Sequence, residues 1–172
     1  MKPLTVERLK ELMRYEPDTG RFVRLIDVRK GKGVGTIKAR AGEIAGAVHP
    51  QGYRIIKIDG HAYKAHRLAF FYMTGRWPPD VLDHINCQKD DNRFENLRHA
   101  NAFQNARNRR AYRCNRIGHK GVSKAPHSDR YVAKIRVNNQ LLHIGTYDTP
   151  SEAAEAYSRA ASGLHGAFAR WN

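Results

Sequence analysis

The chain has 172 residues, 41% of them hydrophobic, which gives room for one ordinary domain or two small ones and excludes a single large core. Its 31 Lys and Arg against 16 Asp and Glu leave a formal charge of +15 and a pI near 10.2, which points to a polyanionic partner, nucleic acid first. Cys87 and Cys114 are far apart and form no C-x-x-C pair, which excludes a disulfide framework or cysteine zinc finger, and no apolar run or signal stretch points to a membrane, so the expectation is a protein of the reducing cytoplasm.

In chain order, LTVERLKELM predicts a helix capped by Thr5, with Leu4 and Leu9 as a hydrophobic staple and Leu12 and Met13 continuing the apolar stripe. EPDTGRFVRLI then offers a turn at Pro17 to Gly20 followed by a short strand. The run RKGKGVGTIKARAG from Arg29 mixes glycines and cations without periodicity and reads as a loop, either solvated or tracking phosphates.

From Tyr53, YRIIKIDGHAYKAH gives two strand-like runs joined by Asp59-Gly60, a dipeptide that tolerates positive φ at both turn positions and favours a tight hairpin. HRLAFFYMTG predicts a helix ending near Gly75, and Trp77-Pro78-Pro79 prevents its continuation. The chain then enters LDHINCQKDDNRFENLRHANAFQN, where short polar side chains crowd together with hardly an apolar residue between them.

Cutting a phosphodiester needs a base to deprotonate water, a hard cation to stabilise the leaving oxygen, and oxygen ligands for that cation. Asp83, His84 and a downstream Asn supply such a set. Adjacent strand residues point to opposite faces, so one of Asp83 and His84 can bind metal while the other faces the water. Asn101 and Gln104 form an amide version of a capping box, which starts a helix near Ala102 and puts Asn105, a suitable hard ligand, in its first turn. Asn108 lies one turn on as the reserve. Asn92 and Asn96 fall in the connection, where amides hold loops closed, and Asn96 is read as a brace outside the metal's ligand shell.

RRAYRCNRIGHKG beyond Asn108 is dense in arginine and reads as a linker. The cationic excess nevertheless covers the whole chain: six over residues 1–60, six over 61–116 and three over 117–172. In the last segment RYVAKIRV alternates as a half-buried strand, Asn138-Asn139 turns the chain, LLHIGTYD returns, and KGVSKA is a possible third strand. Thr149, Pro150 and Glu152 mark a helix start, and Ala153, Ala154, Tyr157, Ala160, Ala161 and Leu164 form one face, whose small residues let the helix sit close to a sheet. On the sheet, Lys134 and Arg136 lie opposite the aliphatic face. His49, His61, His99, His127 and His165 read as surface or hydrogen-bonded residues.

Two families are resembled. HRLAFFYMTGRWPP, DHIN, DDNRFENLR and QNARN resemble the HNH endonucleases of the phage and intron homing type, over about Tyr53 to Asn108. The resemblance implies a β-β-α-metal module around one divalent ion, Mg²⁺ or Mn²⁺. It implies His84 as general base, Asp83 and Asn105 as metal ligands, Asn96 as the asparagine bracing the finger, and His66 and Arg67 as the upstream HRL element. Asn105 stands where many relatives carry His, and the zinc-binding cysteines of some relatives are absent, so no zinc is expected.

GVSKAPHSDRYVAKIRVNNQLLHIGTYDTPSEAAEAYSRAASGLHGAFARWN is similar to the ethylene-response-factor (APETALA-type) DNA-binding domain, which lays a three-stranded sheet in the major groove with a helix behind. Lys120, Lys124, Arg130, Lys134, Arg136 and His143 become the DNA-contact candidates there, with Arg67, Arg107, Arg109 and Arg110 upstream. The family often uses tryptophan and more arginines on this sheet, so relaxed sequence preference is expected.

The expected architecture is α+β: a 1–52 extension, an HNH module at 53–108, a basic linker at 109–116, and a small three-stranded antiparallel sheet packed on one helix at 117–172. The expected function is metal-dependent cleavage of double-stranded DNA by a monomer associated with nucleoid or phage DNA. Two rivals are a non-catalytic DNA-binding protein with an HNH-like platform and an RNA-binding or RNA-cleaving protein.

Overall fold

The computed structural model describes residues 3–29, 36–78, 81–101, 104, 115, 117–138, 140–166 and 169. Two units, Met1–Ala100 and Asn101–Asn172, are each internally packed. Small antiparallel sheets and, among the described residues, three helices make up an α+β architecture.

In the first unit Thr5 Oγ1 accepts from Arg8 N at 3.2 Å and caps α1 (Val6–Leu12), which buries Leu9 and Leu12. The stripe was expected to run on through Met13, but the helix stops one residue earlier. Met13 opens strand β1 (Met13–Glu16), where Met13 and Tyr15 are buried and Arg14 is exposed, a period of two in place of 3.6. The Pro17 to Gly20 turn then returns the chain along β2 (Arg21–Arg24), paired from Met13↔Arg24 to Glu16↔Arg21.

The segment read as an aperiodic loop, residues 29–42, in part forms a short hairpin, β3 (Val28–Arg29) against β4 (Ile37–Ala39). Backbone pairing of two or three residues needs no hydrophobic alternation, so the composition gave no sign of it. Residues 30–35 lie outside the described residues.

Strands β5 (Ala47–Val48), β6 (Arg54–Ile58) and β7 (His61–Lys64) form a three-stranded sheet. Asp59 at φ +46° and Gly60 at φ +85° make the tight turn their sequence predicts. Helix α2 (Ala65–Thr74) follows directly and ends at Gly75, whose φ of +71° lets its N–H reach Phe71 O. Trp77 stacks on Phe71 with centroids 4.3 Å apart. Leu9, Phe22, Ile56 and Leu68 are fully buried in the resulting core, each worth about 2 kcal/mol of transfer free energy. Strand β8 (Val81–His84) pairs with β9 (Leu97–Ala100), and a connection ending in the 3-10 turn Phe94–Asn96 joins them.

In the second unit β10 (Val122–Lys124), β11 (Tyr131–Val137) and β12 (Gln140–Tyr147) form an antiparallel sheet in that order. Helix α3 (Pro150–His165) carries the expected capping box: Thr149 Oγ1 accepts from Glu152 N and Glu152 Oε2 accepts from Thr149 N, both at 3.2 Å. Ala153, Tyr157 and Ala161 pack on Val122, Ala133 and Ile135. The approach is close enough that a Cβ at Gly121, itself at φ +75°, would sit 2.2 Å from the Tyr157 ring.

Candidate active site

Strand β8 turns Asp83 and His84 to opposite sides of a two-stranded ladder, and both are buried. Asp83 faces Arg98 across the ladder, whose Nε donates to Asp83 Oδ2 at 3.1 Å while Nη2 lies 3.0 Å from the same oxygen. His84 sits opposite Leu97, and its ring meets the edge of His66, with centroids 4.8 Å apart. His66 comes from the first turn of α2, and the Tyr53 ring lies 5.3 Å from it and 6.2 Å from His84.

Burial lowers the pKa of both imidazoles. For His84 the desolvation is opposed by the Asn92 hydrogen bond and by the charges of Asp83, Asp91 and Asp90. For His66 burial dominates, and His84, Lys64 and Arg67 push the same way, to about 3. His84 is therefore held in its neutral form, the form a general base requires.

Asn92 meets the Nε2 side of the His84 ring. Its Nδ2 donates to Asp90 O at 3.0 Å, which leaves Oδ1 facing His84 Nε2 at 3.4 Å. An amide oxygen only accepts, so this contact suits the tautomer of the neutral ring with its hydrogen on Nε2. Asn92 is in turn anchored from a distance, since Tyr15 Oη donates to its carbonyl at 2.6 Å. Gly20 lies so close that a Cβ there would stand 2.4 Å from Arg93 N and 2.5 Å from the Asn92 carbonyl carbon.

The crowd of polar side chains between β8 and β9 now has a physical account. Asn96 Oδ1 accepts from Asn86 N at 3.0 Å, while its Nδ2 donates to Asn86 Oδ1 at 3.0 Å and Asp91 O at 2.8 Å. Asn86 Nδ2 donates to Asp91 Oδ2, and both Arg93 Nε and Nη2 reach the Asp91 carboxylate at 2.9 Å. The Arg93 pairing holds the Asp91 pKa down to about 2. Arg54 grips Asp90 through two bonds of 2.8 Å. A tight connection with little apolar filling satisfies its buried backbone groups through amides, which donate and accept at once.

Of the remaining predicted residues, Asn105, Arg107, Arg109 and Arg110 lie outside the described residues. Just before Asn105, Asn101 and Gln104 form the reciprocal cap read from the sequence, each backbone N–H donating to the other's side chain at 2.8 Å. Arg67 Nη2 donates to Pro78 O at 3.0 Å. In the second unit Lys120 is half-buried before β10, Lys124 is paired with Asp129, and Arg130 with Asp148. Lys134 and Arg136 are exposed on the sheet face away from α3, opposite His143 and Leu141 in register.

Reasoning from sequence missed three contributors. Asn92 was read as a loop brace, and nothing in its spacing shows that its other face meets His84. Tyr15 lies 77 residues from its partner and gives no local signal. Tyr53 read as the first residue of a strand, not as a ring beside two histidines.

Compared with known protein families, residues 63–107 match the HNH endonuclease family. The matched span holds α2, β8, β9 and the connection that carries Asn92 and Asn96. It supports a nuclease, a hydrolase acting on DNA. HNH nucleases generally use a divalent metal ion, and the donor chemistry here suits one, because a carboxylate such as Asp83 is a hard oxygen ligand. Among the described residues no three His, Cys, Asp or Glu side chains are grouped to hold a metal ion. A hard ion bound through one carboxylate, with amide, water and phosphate oxygens completing its shell, needs no such group.

Proposed function

We propose that the chain is a metal-dependent DNA endonuclease of the homing type, cleaving phosphodiester bonds to 5′-phosphate and 3′-hydroxyl ends. The observation that carries this reading is the neutral His84, oriented by Asn92 on the strand that also bears Asp83.

His84 Nδ1 takes a proton from water as the oxygen attacks phosphorus, and the bond from phosphorus to the 3′ oxygen breaks in line. Asn92 holds the ring in the tautomer that leaves Nδ1 basic, and develops a stronger hydrogen bond as the ring becomes charged. The His66 and Tyr53 rings pack beside His84. Asp83 and Asn105 would hold one Mg²⁺ or Mn²⁺, which supplies positive charge to the departing 3′ oxygen when bound. Asn96 keeps the connection closed so that Asn92 stays in place. Residues 53–108 would form this module, 109–116 a basic linker, and 117–172 an APETALA-type module. On that last module Lys134, Arg136 and His143 face duplex DNA, while the acid-paired Lys124 and Arg130 set the edges of the sheet.

The test is relaxation of supercoiled plasmid in Mg²⁺, Mn²⁺ or EDTA, with His84→Ala alongside. Cleavage should require the metal and fall by at least about 10²-fold in the variant, the usual range for losing a general base. Open-circle product would mean nicking, and linear product a double-strand cut. Metal-independent retardation with no cleavage, repeated on several DNA sequences, would overturn the nuclease and leave a DNA-binding protein.

A further inference from the structure

We infer that Lys64 and Lys89, mounted on the Tyr53 ring beside His84, bind a backbone phosphate of the DNA; the identity of the anion rests on the nuclease reading above. The Lys64 ammonium lies 4.5 Å from the Tyr53 ring centroid and that of Lys89 4.8 Å. Lys89 is held further by donation from Nζ to Gln51 O at 2.9 Å and by its stem, which runs along Gly52. Gly52 has φ +89°, and a Cβ there would touch Lys89 Cδ at 3.4 Å. A solvated surface lysine has no need of such fixing.

Charge makes the same argument. The guanidiniums around the connection are matched to acids: Arg54 to Asp90, Arg93 to Asp91 and Glu95, Arg98 to Asp83. Lys64 and Lys89 enter no ion pair among the described residues, and both stand against the Tyr53 ring. Lys64 is also the residue before the first turn of α2, a turn without an acid. Two fixed, unneutralised ammoniums are complementary to an anion with several oxygens, and lysine binds phosphate as a point charge. The ring that carries them lies 6.2 Å from the His84 ring, so a phosphate held there lies beside the proposed base.

The experiment measures binding of a short labelled DNA duplex by fluorescence anisotropy in EDTA, over a range of salt concentrations. Lys64→Gln/Lys89→Gln should lower the slope of log K against log salt by about 0.9, with affinity several-fold weaker at low salt. Tyr53→Leu should behave like the double variant and Tyr53→Phe like wild type. Lys38→Gln/Lys57→Gln, which removes two exposed charges elsewhere in this unit, is the matched control and should lose less. Equal losses in the two double variants, or a wild-type slope in the first, would overturn the phosphate site; circular dichroism guards against misfolding. The two readings fail separately. Wild type that binds with the expected charge dependence but never cuts sinks the nuclease alone, and variants that cut and bind as wild type sink only the phosphate site.

Discussion

At the scale of single residues the site depends on one amide. Asn92→Leu keeps the volume but removes the acceptor facing Nε2, so kcat should fall about 10- to 100-fold with KM little changed, the usual cost of losing the partner that orients a reactive side chain. Nitrogen-15 shifts of His84 would show the Nε2–H tautomer in wild type and a mixture in the variant; unchanged shifts would count against the orienting role. His66 makes a separate prediction. Its folded pKa of about 3 lies below the unfolded value of 6.5, so its contribution to stability is complete above pH 6.5 and is lost as pH falls toward 3. Urea midpoints measured from pH 7 to 5 should drop by the equivalent of ~1 kcal/mol per pH unit from His66 alone, and His66→Phe should reduce the dependence to what His84 contributes. Asp83 and His84 could be named as candidates because residue type and order suggest their chemistry, and both lie buried on one strand. The orientation of Asn92 was not legible, because it depends on which neighbour takes its Nδ2.

At the scale of elements, the β1–β2 hairpin is the support beneath the connection that holds Asn92. Gly20→Ala should cost about 3 kcal/mol, because the new methyl would meet backbone atoms of Asn92 and Arg93 at a positive φ. Tyr15→Phe should cost about 1 to 2 kcal/mol, through the buried carbonyl it leaves unmatched. Urea unfolding measures both, and in both variants cleavage should fall more than the loss of folded protein explains. Elements with local punctuation were readable: Thr5 for α1, Asp59-Gly60 for β6 and β7, Thr149-Pro150-Glu152 for α3. The strand at Met13 was not, because Leu12 and Met13 continue a helical stripe as well as they begin an alternating one. Only pairing with β2 decides between the two.

At the scale of the whole molecule, a charge of +15 combines two different populations of cations. Arginines such as Arg54, Arg93 and Arg98 are spent on internal acids, so they hold the fold and add little outward field. Lys64, Lys89, Lys134 and Arg136 enter no ion pair among the described residues, so their charge is available to a partner. Counting charges along the sequence gave the sign of the partner but could not separate these groups, since pairing is set by tertiary contacts. The HNH match covers residues 63–107, while the bond to Tyr15 shows that the unit around it draws on residues well upstream.

That bond also sets an order of events. Hairpins β6–β7 and β8–β9 and helix α2 close over short stretches of chain, whereas Tyr15 and Asn92 must meet across 77 residues, and the entropic cost of closing a loop grows with its length. Assembly of the site is therefore expected to come late in folding. A chain that has already packed Trp77 against Phe71 would still lack a fixed Asn92, and so an oriented His84. Recovery of cleavage should trail recovery of tryptophan fluorescence, and a nascent or partly folded molecule would be harmless to the DNA around it.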